Sequence, residues 1–419
     1  MMKKNAIYAQ SGGVTAVINA SACGVIQTAR NYPDRIGTVY AGHNGILGVL
    51  HEELIDTSLE SDLNIARLKH TPGGAFGSCR YKLKDPEAHP EEYERLIQIF
   101  RAHDIGYFFY NGGGDSQDTT WKIARTAQKA NYPLTCIGIP KTVDNDLPLT
   151  DTSPGFGSVA KYVATSIREA SFDVASMAET STRVFVMEVM GRHAGWITAA
   201  CALAQENSHD APHLLLFPEK PFIEKNFLRR VEATVEEEGY CVIAVSEGIR
   251  DQNGKFLSES GIHDAFGHAQ LGGVAPVIAQ LIQARLSLKV HWAVADYLQR
   301  SARHIASLTD VEQAYAVGKA AVEYALAGKN AVMPIITRLS NDPYRWEIVP
   351  ALIQDMANIE KPLPEHFIAN GGYGISETCR SYLLPLIQGE SPVPMKQGIP
   401  DFVRMKKDLI GKKLAPYLL

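Results

Sequence analysis

The sequence lacks the cysteine pattern and the long apolar runs that mark several classes of protein. Its six cysteines stand far apart, and no C-x-x-C pair occurs. Such spacing argues against a disulfide framework and a zinc site, and it predicts reduced, mostly buried thiols. No apolar run approaches the roughly 20 residues of a membrane span, and the polar start Met-Met-Lys-Lys-Asn differs from a secretory signal. We therefore expect a cytoplasmic protein without a membrane partner.

An excess of positive charge and the common nucleotide-binding fingerprints are also missing. The formal net charge is −5, so the chain has no general basic field that would attract nucleic acid or an anionic membrane. Neither a G-x-G-x-x-G fingerprint nor a Walker A loop is present, which leaves a nicotinamide-binding site or a P-loop without support. Anionic small molecules would have to be held by a few locally placed lysines and arginines.

The composition itself is ordinary for a globular protein, with 45% hydrophobic and 21% charged residues. A chain of 419 residues can bury a substantial core and should divide into two or more domains. Short apolar runs that end in glycine or polar clusters alternate with helical patterns, which predicts parallel strands in an α/β fold. These runs lie at 6–9, 107–110, 136–139, 184–189 and 241–245.

The most regular helical pattern lies within 310–328, where apolar or small residues follow the 3.6-residue period. We expect Thr309 or Asp310 to cap the start of this helix. The stretches at 153–157 and 341–350 contain turn-forming prolines or glycines. They are the expected crossings between domains.

Each apolar run is followed at once by a cluster of potentially functional residues. Ligands of open α/β sheets bind outside the carboxyl ends of the strands, so these clusters are expected to share one crevice. Gly12-Gly13 can bring backbone N–H groups close to an anion, although a plain strand-to-helix turn is the simpler explanation. The three glycines of Gly112–Ser116 suit a close backbone approach, and Asp115 can hold Mg²⁺ or cap the next helix.

The segment Pro140–Asp146 carries the clearest acid–base pattern. Asp144 and Asp146 flank Asn145, and Lys141 lies three residues before Asp144. Two neighbouring carboxylates with a lysine suit a general base beside an anion. An Asx-turn is the structural alternative.

Two further strand ends carry charged residues. Arg192, which follows Met190-Gly191, presents a forked donor that suits phosphate. Glu247 can accept hydrogen bonds from sugar hydroxyls. Either residue alone is more often an ordinary surface residue, and His193 is expected to be structural.

In this order the clusters resemble the phosphofructokinase family. The matching motifs are Gly-Gly, Gly-Gly-x-Asp-Ser, Pro-x-Thr-x-Asp-Asn-Asp, Glu-Val-Met-Gly-Arg, a strand-end Glu and Leu-Gln-Arg, which span about residues 7–303. The resemblance implies two Rossmann-like three-layer α/β/α domains with mostly parallel sheets around a central cleft. It implies that 1–155 and about 300–345 form the phosphoryl-donor domain. The sugar-phosphate domain would comprise about 156–299 and 346–419, the latter as an accessory C-terminal segment.

The resemblance also implies roles for single residues. Asp144 looks like the base that takes the proton from the C1 hydroxyl of fructose 6-phosphate, with Lys141, Asp115 and Arg192 as the other catalytic residues. The implied contacts of the donor phosphates are Gly12, Gly13, Asp115 and Lys141. The implied substrate contacts are Thr142, Val143, Asp144, Asp146, Arg183, Met190, Gly191, Arg192, Glu247, His291, Tyr297, Leu298, Gln299 and Arg300.

The assignment of the last four residues rests on a choice between two segments. ATP-dependent members of the family have His-x-Gln-Arg-Gly-Gly, and 268–273 keeps that outline with Leu271 in place of the arginine. Tyr297–Arg300 keeps the arginine and replaces the histidine. Because a 6-phosphate needs the charged fork more than the glycines, we assign the site to Tyr297–Arg300, and His268 is then expected to be structural.

Two positions imply a site that is shared between subunits. Arg183 matches an arginine that the family contributes from a neighbouring subunit. His291 stands where the family has another such arginine, and Lys289 can compensate for its loss. The expected assembly is a homodimer or a homotetramer.

The resemblance also bears on the phosphoryl donor. ATP-dependent members read Gly-Gly-Asp-Gly-Ser and Pro-Gly-Thr, where this chain has Asp115 and Lys141. Asp115 would repel the α-phosphate of a nucleotide, and Lys141 would stabilise charge on a departing phosphate. Both changes match the pyrophosphate-dependent branch of the family. Because Gly114 occupies the position usually tied to Mg²⁺, Asp115 is the expected metal ligand.

Three alternatives stay open at the level of sequence. They are ATP as the donor, a longer ketose phosphate such as sedoheptulose 7-phosphate as the acceptor, and a non-catalytic regulatory subunit that binds sugar phosphate. The presence of Asp144, Lys141, Arg192 and Arg300 argues against the last. We therefore expect a reversible, pyrophosphate-dependent phosphorylation of fructose 6-phosphate in glycolysis or gluconeogenesis.

Overall fold

The protein is described by a computed structural model that covers residues 3–263, 269–271, 273–356 and 359–417. The strands are β1 Lys4–Gln10, β2 Ile36–Gly42, β3 Leu54–Asp56, β4 Ile105–Gly112, β5 Thr135–Pro140, β6 Val184–Val189, β7 Leu214–Leu216, β8 Cys241–Ser246, β9 Glu259–His263, β10 Ala269–Leu271, β11 Val290–Val294, β12 Val332–Asn341, β13 Tyr344–Leu352, β14 Met395–Lys396 and β15 Ile399–Pro400.

Helices connect these strands. The α-helices are α1 Ile18–Arg30, α2 Ile46–Leu50, α3 Asp62–Arg67, α4 Pro90–Ala102, α5 Gly114–Lys129, α6 Phe156–Met177, α7 Trp196–Cys201, α8 Glu224–Glu238, α9 Val274–Leu286, α10 Asp296–Ser301, α11 Leu308–Leu326 and α12 Glu377–Leu383. Short 3₁₀ turns occupy Thr57–Leu59, Leu68–His70, Ala202–Ala204, Arg303–Ile305, Ile353–Asp355, Glu365–Phe367 and Leu384–Ile387.

The first sheet has seven strands in the order β13-β12-β5-β4-β1-β2-β3. Its centre is parallel, and β3 and β13 join the two edges antiparallel. Helices α1 and α11 contribute to the core on one face, and α2, α4 and α5 to the core on the other. A strand covered on both faces is a nearly continuous apolar run, and every residue of β4 is buried, with Asn111 as its polar member.

The second sheet has four strands, all parallel, in the order β11-β6-β8-β7. Helices α6 and α7 pack in the core on one face, and α8 and α9 in the core on the other. The predicted fold class, with two three-layer α/β/α units and mostly parallel sheets, is therefore confirmed. The five predicted strands coincide with β1, β4, β5, β6 and β8.

The predicted helix within 310–328 is α11, but its predicted cap is wrong. Ser307 caps the helix, because its hydroxyl accepts a hydrogen bond from the backbone N–H of Asp310. The buried carboxylate of Asp310 instead accepts the backbone N–H groups of Gly155 (2.8 Å) and Ser158 (2.9 Å) at the start of α6. A side chain of α11 thus satisfies the free donors of another helix.

The C-terminal region contacts both sheets. The stretch 341–350, expected as a crossing between domains, is occupied by the hairpin of β12 and β13. Further on, Leu363, Phe367 and Leu383 join the core beside α6. The last described residues return to the first sheet. There the N–H of Ile410 donates to the carbonyl of Leu54 at 2.9 Å, so this segment covers the β3 edge.

None of the described helices is long and apolar enough to cross a membrane. All six cysteines are unpaired, and all except the partly exposed Cys79 are buried, as the sequence predicted.

The contact between Asp310 and α6 yields a stability prediction. Asp310→Ala should lower the free energy of unfolding by about 1–3 kcal/mol, because two buried N–H groups lose their acceptor. Thermal or urea unfolding at fixed protein concentration measures the change. Glu312→Ala, at an exposed position of the same helix, is the matched control. An equal loss in both variants would contradict the role of Asp310.

Candidate active site

Four of the five predicted clusters meet in one cavity of about 640 Å³, and the exception is Gly112–Ser116, none of whose residues line it. The cavity lies at the carboxyl ends of β1 and β5 from the first sheet and of β6 and β8 from the second, as expected for parallel sheets. The predicted site residues that line it are Gly13, Lys141, Thr142, Val143, Asp144, Asp146, Met190, Arg192, Glu247, Tyr297, Gln299 and Arg300.

The glycine turn after β1 forms one wall of the cavity. Gly12 has φ of +71° and donates its N–H to the carbonyl of Cys79 at 2.9 Å. A Cβ on Gly13 would lie 2.7 Å from the Nη1 of Arg300. Glycine therefore provides both the left-handed turn and the space for an arginine that arrives from a distant helix.

The side chain of Lys141, the residue that follows β5, reaches this turn. Its Nζ donates to the carbonyl of Gly13 at 2.6 Å, and its side chain is buried. Burial, followed by the charge of Arg300, lowers the pKa of Lys141 to about 8. The ammonium is thus held in a fixed position, and the charges of Asp146 and Asp144 only partly offset the lowering of its pKa.

The turn after Lys141 is fixed by Asn145. This residue is fully buried and has φ of +55°, a conformation that asparagine tolerates better than most residues. Its amide donates to the hydroxyl of Tyr382 (3.0 Å) and accepts the N–H of Ser153 (3.0 Å). Asn145 is therefore the structural part of the motif, and the flanking carboxylates of Asp144 and Asp146 line the cavity.

The carboxylates in the cavity repel one another. Burial, the charge of Asp146 and the charge of Glu247 raise the pKa of Asp144, while Lys141 and Arg192 oppose the shift. Burial also raises the pKa of Asp146. A carboxylate whose proton affinity is raised in this way can accept a proton near neutral pH.

The opposite wall is assembled from β6, β8 and α10. The N–H of Gly191 donates to Glu247 Oε1 (3.3 Å), and the buried Gln299 accepts the N–H of Met190 through Oε1 (3.3 Å). The guanidinium of Arg300 lies 3.8 Å from the ring centroid of Tyr297. This cation–π contact directs the arginine into the cavity.

Six predicted site residues do not line the cavity, and two of them, Gly12 and Gly191, are chain neighbours of the lining residues Gly13 and Met190. Asp115 lies in the first turn of α5, where its carboxylate pairs with Lys82 Nζ at 2.6 Å. Arg183 is exposed just before β6, at the end of that strand away from the cavity, and His291 is exposed on the edge strand β11. Leu298, in α10, has a relative exposure of 65%.

Several cavity residues were not predicted. Arg80 and Glu360 line it, and so does His193, which pairs with Glu360 at 3.0 Å. The backbone N–H of Lys361 donates to the carbonyl of Asp146 at 2.7 Å. Residues near 360, within the C-terminal segment 346–419 that was expected to be accessory, therefore support the base-bearing turn.

These omissions have a physical reason. Arg80 and Glu360 lie in irregular segments, whereas apolar runs in the sequence indicate only the residues that follow strands. One signal for Arg80 was available in the local sequence Gly77-Ser78-Cys79-Arg80, a second glycine turn followed by a cation.

Part of the alternative segment for the sugar phosphate, 267–273, lies outside the described residues. Gly267, His268 and Gly272 lie outside the described residues, and 269–271 form the short strand β10. Tyr297, Gln299 and Arg300, chosen from the sequence, do line the cavity.

The side chain of Lys361 also supports the chain that follows the base-bearing turn. Its Nζ donates to the carbonyls of Thr150 (3.0 Å) and Asp151 (2.9 Å).

Known proteins resemble this chain over its whole length. One relative, the pyrophosphate–fructose 6-phosphate 1-phosphotransferase of Methylococcus capsulatus, is 64% identical over 99% of both chains. The enzyme of the same name from Halomonas elongata is 62% identical over 100% of both. The solved structure of a pyrophosphate-dependent phosphofructokinase from Marinobacter aquaeolei superposes with a TM-score of 0.92 at 60% identity, covering 99% of this chain and 100% of that one.

A family model described as phosphofructokinase matches residues 5–325. This range contains β2 to β11, all of β1 except Lys4, and every residue predicted from the motifs. The family, its two-sheet architecture and the cavity between the strand ends agree with one another. The chain belongs to the phosphofructokinase family.

Proposed function

We propose that this chain transfers a phosphoryl group from pyrophosphate to the C1 hydroxyl of fructose 6-phosphate and catalyses the reverse reaction as well. The observation that carries this conclusion is the position of Lys141, whose ammonium is anchored on Gly13 in the same cavity as Asp144. Relatives that carry the name of this activity are 64% and 62% identical over the full length.

In the forward direction Asp144 accepts the proton of the C1 hydroxyl. The C1 oxygen forms a bond to one phosphorus of pyrophosphate while the bond from that phosphorus to the bridging oxygen breaks, and phosphate departs. Lys141 stabilises the charge that develops on the transferred and departing groups. Positioning and charge neutralisation supply most of the rate in such transfers.

The sugar end of the cavity carries the remaining cations. Arg192 and Arg300 present forked donors that suit the 6-phosphate, and Glu247 is available to the sugar hydroxyls. Thr142, Val143 and Asp146 line the cavity next to the base. Tyr297 contacts the guanidinium of Arg300, and Gln299 and Glu247 accept the backbone N–H groups of Met190 and Gly191, which lead to Arg192. Arg80, which the sequence did not indicate, adds a guanidinium on the side of Lys141.

Asp115 and Lys141 together favour pyrophosphate over ATP. Lys141 fills the space at the carboxyl end of β5 with a buried charge. Asp115 stands in the first turn of α5 beside Lys82, where a nucleotide passing beyond the glycine turn would meet its carboxylate. Electrostatic repulsion of the wrong donor then adds to attraction of the right one.

We also propose Mg²⁺ as the cofactor. The donor set fits, because Mg²⁺ is usually held by one or two carboxylates and substrate phosphates, and Asp144 and Asp146 have raised pKa values that a neighbouring cation would lower. Asp115, the ligand expected from the sequence, lies outside the cavity lining and pairs with Lys82, so it would hold the ion only by giving up that partner, whereas Asp144 and Asp146 already face the cavity. Bound Mg²⁺ would neutralise charge on the phosphoryl groups.

The assembly, the domains and the location are further parts of the proposal. A homodimer or homotetramer would let the exposed Arg183 and His291 reach a neighbouring cavity, and the exposed Trp292 on β11 supports an interface there.

The donor domain comprises 1–155 and about 300–345, and the packing described above adds 346–352 and 401–417 to it. The remainder forms the sugar-phosphate domain. A cytoplasmic location stays a prediction.

The choice of donor can be tested directly. With fructose 6-phosphate and Mg²⁺, the purified protein should form fructose 1,6-bisphosphate from pyrophosphate at least about 100-fold more efficiently than from ATP. A coupled aldolase assay measures kcat/KM with each donor. Efficient turnover of ATP and none of pyrophosphate would refute the proposal.

Removal of the buried ammonium should affect the chemical step. Lys141→Met should lower kcat about 100- to 1000-fold, with a much smaller change in KM for fructose 6-phosphate. Lys329→Met, at an exposed position distant from the cavity lining, should behave like the parent protein. An unchanged kcat in the Lys141 variant would remove this residue from the transition state.

The lowered pKa of Lys141 predicts a pH dependence. The side chain is charged below its pKa of about 8 in the free protein and loses its charge as the pH rises through that value. The kcat/KM for pyrophosphate should therefore decline above about pH 8. In Lys141→Arg the side chain stays charged, so the alkaline decline should move to higher pH. Superimposable alkaline limbs would contradict the assignment.

A further inference from the structure

One residue of the catalytic cavity lies beyond the part of the chain that defines the family. The phosphofructokinase model matches residues 5–325, and among the described lining residues Glu360 alone lies outside that range. The motifs that define the family therefore assign no role to this carboxylate. Its role has to follow from the contacts that it makes in this chain.

The segment that carries Glu360 connects the two halves of the molecule beside the cavity. Met356 is buried in one cluster with Leu147 and with Met333 of β12, on the side of the first sheet. Further along, Leu363 is buried in the core beside α6, on the side of the second sheet. Glu360 stands between these two anchors and lines the cavity.

Hydrogen bonds fix the backbone next to Glu360. The N–H of Lys361 donates to the carbonyl of Asp146 at 2.7 Å, in the base-bearing turn. The carbonyl of Lys361 accepts the indole N–H of Trp196 at 3.0 Å, at the start of α7. Glu360 therefore extends from an anchored wall, and its side chain loses little further freedom when it meets a ligand.

His193 orients the carboxylate of Glu360. Its Nδ1 lies 3.0 Å from both carboxylate oxygens. Because an ionised carboxylate only accepts hydrogen bonds, Nδ1 carries the proton and donates it. A carboxylate can accept about four hydrogen bonds, and the side chain of Glu360 keeps 58% of its surface exposed. The pair thus leaves acceptor capacity open to the cavity.

The surrounding charges indicate which part of a substrate Glu360 can meet. Burial raises the pKa of Asp146, and the charge of Glu360 raises it further, so the two carboxylates are electrostatic neighbours. The phosphate groups of a substrate belong on the cations of the cavity, such as Lys141 and Arg300. A carboxylate repels phosphate but accepts hydrogen bonds from hydroxyl groups. The partner that suits Glu360 is therefore a neutral hydroxyl.

We propose that Glu360 accepts a hydrogen bond from a ring hydroxyl of the acceptor sugar and that His193 is the positioning residue for its carboxylate. The inference rests on the proposed function, since it places Glu360 at the acceptor end of that reaction. The arginines recognise the phosphate of the acceptor, whereas a carboxylate at a fixed place beside the base tests the hydroxyl pattern of the sugar. Glu360 then contributes to selection of a hydroxylated ketose phosphate over a deoxy analogue.

Calorimetric titration of the full-length protein with fructose 6-phosphate, without a phosphoryl donor, tests the contact. The parent protein should bind, and Glu360→Ala should bind at least about tenfold more weakly, because a charged acceptor is lost. Glu365→Ala, at an exposed position of the same region whose carboxylate pairs with Lys220 outside the cavity lining, should bind like the parent. Failure of the parent to bind would refute the proposed function together with this inference. Equal binding by the parent and Glu360→Ala would refute this inference alone.

Deoxy analogues of the sugar separate a direct contact from a structural effect. The probes are fructose 6-phosphate analogues that lack the 3-hydroxyl or the 4-hydroxyl. Removal of the contacted hydroxyl should weaken binding to the parent at least about fivefold more than binding to Glu360→Ala, since the variant has already lost that hydrogen bond. A substitution that merely disturbed the fold would weaken both analogues and the parent sugar alike. Losses that are additive for both analogues would overturn the proposal.

Steady-state kinetics test the positioning role of His193. His193→Ala should raise the KM for fructose 6-phosphate about fivefold or more, with kcat within about twofold of the parent and an unchanged KM for pyrophosphate. His193→Asn, whose amide can donate from nearly the same place as Nδ1, should recover most of the loss. A fall in kcat with an unchanged KM would contradict this role.

The alternative use of the carboxylate is as a ligand of Mg²⁺, and the same variants exclude or establish it. Glu360→Ala should reach half-maximal activity at the same Mg²⁺ concentration as the parent. A variant that kept its affinity for the sugar and needed more Mg²⁺ would overturn the hydroxyl contact. Melting temperatures verify folding, and Glu360→Gln, which keeps the shape of the side chain and removes its charge, replaces Glu360→Ala if the latter is unfolded.

Discussion

Burial of opposite charges in one small cavity is the constraint on which the rest of the site depends. A lone buried ammonium or carboxylate is costly, and either changes its protonation unless a partner stabilises it. Here Lys141 and Asp144 each depend on the other, and both have pKa values moved toward neutrality. Neither charge is fully stabilised by its partner, so Lys141 can also bind an anion and the carboxylates can also bind a cation. A site that transfers phosphoryl groups needs both, because its substrates are anions that a cation must neutralise.

The surrounding fold keeps these charges from rearranging. Lys141 is tied to the turn after β1, Asn145 ties the base-bearing turn to Tyr382, and Lys361 holds the carbonyl of Asp146. Two of these three supports come from the C-terminal region. Preorganised groups of this kind avoid reorganisation during the reaction, so residues far along the chain contribute to catalysis by fixing position.

Much of this arrangement could be predicted because buried parallel strands read as continuous apolar runs. The run at 136–139 locates β5 and hence Lys141 and Asp144, and the run at 184–189 locates Arg192. Asp310 looked like a local cap, but a tertiary contact with α6 determined its role. Arg80 and Glu360 follow no apolar run, and only the packing of irregular segments brings them to the cavity.

The catalytic cavity holds both kinds of charge, and that mixture decides what the site can do. It combines lysine and arginines with Asp144, Asp146 and Glu247, so it can move a proton as well as neutralise an anion. A cavity lined by cations alone would attract an anion but would offer no base. The carboxylates therefore add proton transfer to a site whose cations fix the position of the phosphoryl groups.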